Sequence, residues 1–379
     1  MNKTILAAAL ASAFASTVAM ADVTIYGFLS SGIESVKATG NGTAANEVSS
    51  RTRISDYNSR IGFKGNEDLG NGLKSIWQIE SSLKNFENGG SNDKGETATF
   101  ATRNTFVGLT SDSFGTVQLG YYDSAYKRLT NVGTNVMNDT TADTNDKAAV
   151  VTRGDARLKN SVHYTTPTWN GFQAGASWGA DETRTNGRNA QRYSLAGNYT
   201  NGGLIVGLGY DRQGDTTNVS STTGEAIGSG VSGVHTAYTK LAAGYKFAFG
   251  TYLGAQFERA TYGQASGSDM TQNDWTVAVT QDIGAATIKL SYNKLGNLSN
   301  SAAGTSPSDF DAKQWVLGGT YNLSKRTQLL AYYTKLTNGN LQNANFGTEG
   351  VYSTTGSSSA SVGVHNTLTA FGAGLKVSF

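Results

Sequence analysis

The residue types that most often do chemistry are sparse in this chain. Among its 379 residues there is no cysteine, and only three histidines occur, His163, His235 and His365. Thiol catalysis is therefore excluded. The histidines are widely spaced, so no pair has metal-ligand spacing, and no carboxylate spacing marks a cation site. A serine or aspartate nucleophile beside His235 or His365 at a loop rim would make a hydrolase, yet nothing fixes a partner for either. Gly228-Ser-Gly-Val-Ser-Gly spells a dinucleotide-binding fingerprint. That motif needs a strand before it and a helix after it, and here it lies among Ser, Thr and Gly and reads as linker. No cofactor is implied.

What is left is the chemistry of placed charge. Lys and Arg total 30 and Asp and Glu 28, a formal balance of +2. A chain this close to neutrality has no reason to bind nucleic acid. Its charges must act locally, and the elements that hold them decide how.

The N-terminus has Lys3, an apolar stretch over residues 5–15, and Ala19-Met20-Ala21, the pattern of an export signal cleaved after residue 21. The mature chain is expected to be one domain, residues 22–379. Beyond residue 21 no apolar run approaches the roughly 18 to 20 residues of a membrane-spanning helix. Gly is 47, Pro 2, Tyr 18, Phe 15 and Trp 5, with 38% hydrophobic residues. An exported chain without disulfides must be stabilised by backbone pairing and burial. The modest apolar content suits strands that show hydrocarbon on alternate residues only.

Period-two alternation recurs along the chain. In Thr287-Ile-Lys-Leu-Ser-Tyr-Asn, residues Ile288, Leu290 and Tyr292 share one face, and Thr287, Lys289, Ser291 and Asn293 the other. Short reversals rich in Gly, Asn, Asp, Ser or Pro fall near 66–71, 111–115, 167–171, 200–202, 247–250, 282–284 and 322–325. Long polar loops alternate with them near 37–58, 86–100, 123–156, 181–190, 213–236, 263–272, 296–312 and 337–364. Seven turns and eight loops join sixteen strands. The fold class is therefore all-β: a sixteen-stranded antiparallel transmembrane barrel whose short turns face the periplasm. Such a barrel is too wide for side chains to fill and holds water. The closing strand alternates Phe371, Ala373, Leu375, Val377 and Phe379 with Gly372, Gly374, Lys376 and Ser378, and pairing it with the first strand removes an exposed edge. Trp77, Trp169, Tyr199, Tyr210, Phe247, Trp275 and Phe379 near strand ends fit interfacial girdles. A secreted β-solenoid would need a fixed short repeat, and none is present.

Parity then selects pore-facing bases. With Ile61 and Phe63 toward lipid, Arg60 and Lys64 face the lumen; with Leu73 and Trp77 outward, Lys74 faces it. With Leu158, Val162 and Tyr164 outward, Arg157, Lys159 and His163 point in. A charge held in hydrocarbon would cost roughly 2 to 4 kcal/mol, which enforces the alternation.

Two stretches carry a resemblance. Asp22-Val-Thr-Ile-Tyr-Gly and Ile61-Gly-Phe-Lys-Gly-Asn-Glu-Asp-Leu-Gly-Asn-Gly-Leu-Lys-Ser-Ile-Trp-Gln are similar to the trimeric Gram-negative general porins, neisserial and β-proteobacterial in type. Weaker likeness continues at 103–109, at Ala156-Arg-Leu, at Tyr321-Asn-Leu-Ser-Lys-Arg-Thr and at Phe379. The resemblance implies a homotrimer in the outer membrane, contacting lipid and lipopolysaccharide, with a water-filled channel for ions and small hydrophilic solutes. It also implies a third loop, here 123–155, folded into the lumen with acids facing basic residues of the wall. Candidate acids are Asp139, Asp143, Asp146 and Asp155, and the sequence does not choose among them. Arg103 joins the bases by likeness to a family arginine. Tyr121-Tyr122 and His163 stand where the family often has arginine, which implies a weaker field.

Overall fold

The computed structural model describes residues 22–40, 47–84, 100–146, 149–182, 184, 187–219, 226–227, 230–302, 304–352 and 362–379. Residues 1–21, expected to be an export signal, and the Gly228-Ser229 start of the fingerprint lie outside these residues, as does nearly all of the second loop.

Alternating sequence becomes alternating surface. The strands are β1 (Asp22–Thr39), β2 (Val48–Asp56 and Arg60–Gly70), β3 (Leu73–Ser82), β4 (Thr105–Ser111), β5 (Gly115–Asp123), β6 (Arg157–Thr165), β7 (Phe172–Gly179) and β8 (Arg192–Asn201). They continue as β9 (Leu204–Gln213), β10 (Thr236–Lys246), β11 (Thr251–Tyr262), β12 (Met270–Ile283), β13 (Ala286–Leu298), β14 (Ala312–Asn322), β15 (Thr327–Asn338) and β16 (Thr367–Ser378). Residues 57–59 interrupt β2, so the 17 hydrogen-bonded segments of the sheet make sixteen strands. Each pairs antiparallel with its neighbours, and β1 pairs with β16 from Phe28↔Ser378 to Thr39↔Thr367. The sheet closes with no free edge, the only way strands can satisfy their backbone groups in hydrocarbon.

The faces are inverted relative to a soluble β-sandwich. Ile33 is 56% exposed beside Glu34 at 2%, and Leu241 is 54% exposed beside Lys240 at 1%. Apolar side chains form the outer wall, and polar ones are enclosed. A contiguous outer belt of Leu, Ile, Val and aromatic residues far exceeds what a water-soluble monomer leaves exposed.

Three details depart from the sequence reading. Strand β2 runs through Gly70, so 66–70 is strand, and the reversal is Asn71-Gly72, both at positive φ. The stretch 37–58 is mostly strand, because β1 continues to Thr39 and β2 starts at Val48. Val36, Ala38 and Val48 are buried inside the barrel, in one cluster with Val150, Leu336, Phe346 and Leu368. There the lumen is filled by loops, so inward positions become apolar.

Candidate pore constriction

Loop 3 begins where β5 ends. Ser124 caps a short helix, α1 (Ala125–Leu129), its hydroxyl accepting from Lys127 N–H at 3.2 Å. Wall serines hold the helix start: Ala125 N–H donates to Ser177 Oγ at 2.9 Å, and Tyr126 N–H to Ser194 Oγ at 2.8 Å. The loop lies close where inward wall positions are glycine, as at Gly207, Gly209 and Gly318. A Cβ on Gly209 would come within 2.9 Å of Thr130 Cγ2 and Tyr126 Cδ2. Further on, Tyr252 Oη donates to the Val132 carbonyl, Thr134 Oγ1 bonds Gln256 at 2.7 Å, and Met137 lies against Gly318. The loop thus follows the inner wall from β7 to β14 before its tip crosses to β2.

At the tip Asp139 meets the bases. Its carboxylate is ion-paired with Arg60 and accepts from Asn58 Nδ2 at 2.6 Å. Asn58 sits in the break of β2 with a left-handed backbone, which turns it toward the loop. Its Oδ1 accepts from Arg103 at 3.3 Å, while Arg103 Nε pairs with Glu80 at 2.5 Å and Tyr26 Oη donates to Glu80 at 3.0 Å. Burial, then the charges of Arg60 and Arg157, draw the Arg103 guanidinium below its ordinary pKa, against the pull of Glu80. Arg157 reaches Asp123 at 3.1 Å and Asn104 Oδ1 at 2.7 Å. Arg60, Arg103, Arg157 and Asp139 therefore meet on one side of the lumen.

The other sequence-selected residues take other places. Lys64 points inward over the Tyr26 ring at 5.3 Å. Lys74 is also inward but lies two residues from the periplasmic reversal, opposite Asp68. Lys159 is a correction. The register of β6 on β5 slips between Gly120 and Tyr122, and Asn160 is left-handed, so the phase changes. Leu158 is buried against Gly179, and Lys159 is exposed on the opposite face. His163 does face inward, but loop 3 covers it. It is fully buried, with Ser161 Oγ at 2.7 Å and Ser177 Oγ at 2.8 Å. Asp155 is ion-paired with buried Lys240 at 2.5 Å, and Asp146 is exposed, its carbonyl accepting from Ala149 N–H at 3.0 Å.

Asp143 is a structural acid. It accepts from Asn135 Nδ2 at 2.6 Å, the Asn145 and Asp139 N–H groups at 2.9 and 3.0 Å, and Thr348 Oγ1 at 3.0 Å. Burial outweighs these bonds and raises its pKa to about 6. A raised carboxyl pKa contributes stability that is fully present below its ordinary value of 3.8 and is lost as pH rises through about 6. The change is on the order of 2 to 3 kcal/mol. Asp143→Asn is expected to flatten the decline in thermal midpoint of the detergent-solubilised protein across that window; an unchanged pH profile would refute the assignment.

Three of the bases that the sequence reading did not select have no carboxylate partner among the described residues. Lys289 and Lys376 stand on the inward face of β13 and β16, and Lys376 lies over Phe28 at 3.7 Å, with Arg60 over the same ring at 4.6 Å. Arg128 lies over Tyr122 at 5.0 Å and donates to Thr165 Oγ1 at 3.1 Å. The two lysines had a signal, since each alternates with apolar residues in its strand. No cluster of histidine, cysteine and carboxylate groups suited to a metal occurs among the described residues.

Comparison with known proteins agrees with this architecture. The profile of the Gram-negative porins matches residues 7–341. The major outer membrane protein P.IB of Neisseria lactamica is 30% identical over 337 residues, covering 87% of this chain and 92% of that one. An anion-selective porin from Comamonas acidovorans superposes with a TM-score of 0.67 at 23% identity, over 95% of this chain and 100% of that chain. The trimer form of Vibrio cholerae OmpT, an outer membrane protein, gives 0.63 at 18% identity, over 95% and 99%.

Proposed function

The chain belongs to the Gram-negative porin family and is an outer-membrane channel for passive diffusion, and from that premise we propose that it prefers anions through an excess of unpaired base at the level of loop 3. One observation carries the reading. Asp139, Glu80 and Asp123, the acids nearest the tip and the root of the loop, are each ion-paired with Arg60, Arg103, or Lys127 and Arg157. Among the described residues, by contrast, Lys64, Arg128, Lys289 and Lys376 have no carboxylate within 4.0 Å. Paired charges cancel for a passing ion, and the unpaired bases set the sign of the local potential.

The similar Comamonas structure, described as anion-selective, supports this reading, and the similar Vibrio structure, described as a trimer form, supports a homotrimer. In a planar bilayer under a KCl gradient, the zero-current potential is expected to have the sign of chloride preference. The preference should weaken as salt rises and the screening length falls from about 10 Å at 0.1 M to about 3 Å at 1 M. A cation-preferring potential would refute the proposal while leaving the channel itself in place.

A further inference from the structure

The described residues of loop 8, 339–352 and 362–366, also pack inside the barrel. Ala344, Phe346, Val351 and Val362 are buried in the cluster with Val36, Val48 and Leu368 of the wall. Its bend is self-supporting: the Asn345 carboxamide donates to the Val351 carbonyl at 2.8 Å and accepts from the Phe346 and Val351 N–H groups at 2.9 Å each. The loop is tied to loop 3, with Gly347 N–H donating to the Asp143 carbonyl at 3.0 Å and Thr348 Oγ1 to the Asp143 carboxylate.

Both loops meet one buried pair on the wall. Arg53 Nε is ion-paired with Glu34 at 2.5 Å, and its remaining nitrogens donate to the Gly350 carbonyl at 3.0 Å and the Glu349 carbonyl at 2.9 Å. Glu34 accepts from Thr141 of loop 3 at 3.1 Å, from Ser55 at 2.6 Å, and from Tyr332. Arg53 thus holds loop 8 while Glu34 holds loop 3. Neither side chain faces free lumen; each is used up in loop contacts.

We propose that residues 339–352 of loop 8, clamped to the wall by the Glu34–Arg53 pair, form a second internal constriction that sets the size limit for solutes, with these two as positioning residues. It occupies the sector bounded by β1, β2 and β14 to β16, leaving solutes the sector lined by Lys64 and the Arg60–Arg103 group. The inference rests on the channel reading and adds a size filter, distinct from the charge filter at the tip of loop 3.

The test replaces both members together, Glu34→Gln with Arg53→Gln, so that no buried charge is stranded. Refolded protein is compared in single-channel conductance and in exclusion of graded polyethylene glycols. Conductance is expected to rise by about half to twofold and the exclusion limit to move to larger polymers, with the sign of ion preference kept. If the double variant fails to fold, Thr348→Val with Asn345→Ala releases the loop without touching the ion pair and should move the same two readouts. Folded variants with wild-type conductance and exclusion limit would overturn the proposal, and wild-type conduction itself would still stand.

Discussion

Replacing Lys64 and Lys376 by glutamate is expected to move the zero-current potential toward cations and to cancel the anion preference, since the two new acids offset Arg128 and Lys289. Both lysines face the lumen, flank the Tyr26 and Phe28 rings, and lack carboxylate partners among the described residues. The double exchange changes the charge of the passage by four without breaking an ion pair. Asp139 does not compensate, since Arg60 neutralises it. Within a Debye length of about 10 Å at 0.1 M salt, the ions in the passage sense these groups directly. Lys74→Glu serves as a control. Its position beside the Asn71-Gly72 reversal, across from Asp68, puts it at the periplasmic mouth, where a smaller shift is expected. A folded Lys64→Glu, Lys376→Glu variant with the wild-type potential would remove both residues from the selectivity filter.

The lipid-facing half of this fold can be read from the sequence because hydrocarbon enforces it. Outward positions within the hydrocarbon band must be apolar, so strands such as Thr287-Ile-Lys-Leu-Ser-Tyr-Asn declare their phase, and the number of strands follows from the reversals. The same rule placed Arg60, Lys64 and Lys74 on the inner face. It failed where the backbone changes phase without a signal. At Asn160 a left-handed residue and a slip in register turned Lys159 away from the lumen and brought Leu158 in. It failed again where the lumen stops being water. Val36, Ala38 and Val48 face inward yet are apolar, because loops 3 and 8 cover them. Which acid of loop 3 meets the wall depends on contacts 79 residues apart, such as Asp139 with Arg60, and no local pattern encodes such a pairing. Asp139, Asp143 and Asp155 look alike in sequence, while the structure makes one a tip contact, one a loop scaffold and one an anchor to Lys240.

Gly27→Val is expected to abolish barrel closure, because Gly27 is the last rung of the seam between the two ends of the chain. Its N–H donates to the Phe379 carbonyl at 3.3 Å, and the Phe379 N–H returns a bond to the Gly27 carbonyl at 3.1 Å. A Cβ at residue 27 would overlap the Arg60 carbonyl oxygen of β2 on one side and come within 3.0 Å of the Phe379 ring on the other. The first neighbour is backbone within a continuous ladder and cannot swing aside. An overpacked site costs typically 1 to 3 kcal/mol even where side chains can shift, and roughly that much is the least expected here. Moving β1 away from β16 would add more, because backbone groups left open in hydrocarbon cost several kcal/mol each. The folded form should therefore fail to appear as the fast-migrating band of an unheated sample in detergent electrophoresis. Leu29→Val, at the next outward position of β1, changes the same lipid-facing surface without a backbone collision, and should refold as wild type. Equal refolding yields for Gly27→Val and Leu29→Val would show that the seam tolerates a side chain there and that closure does not depend on this glycine.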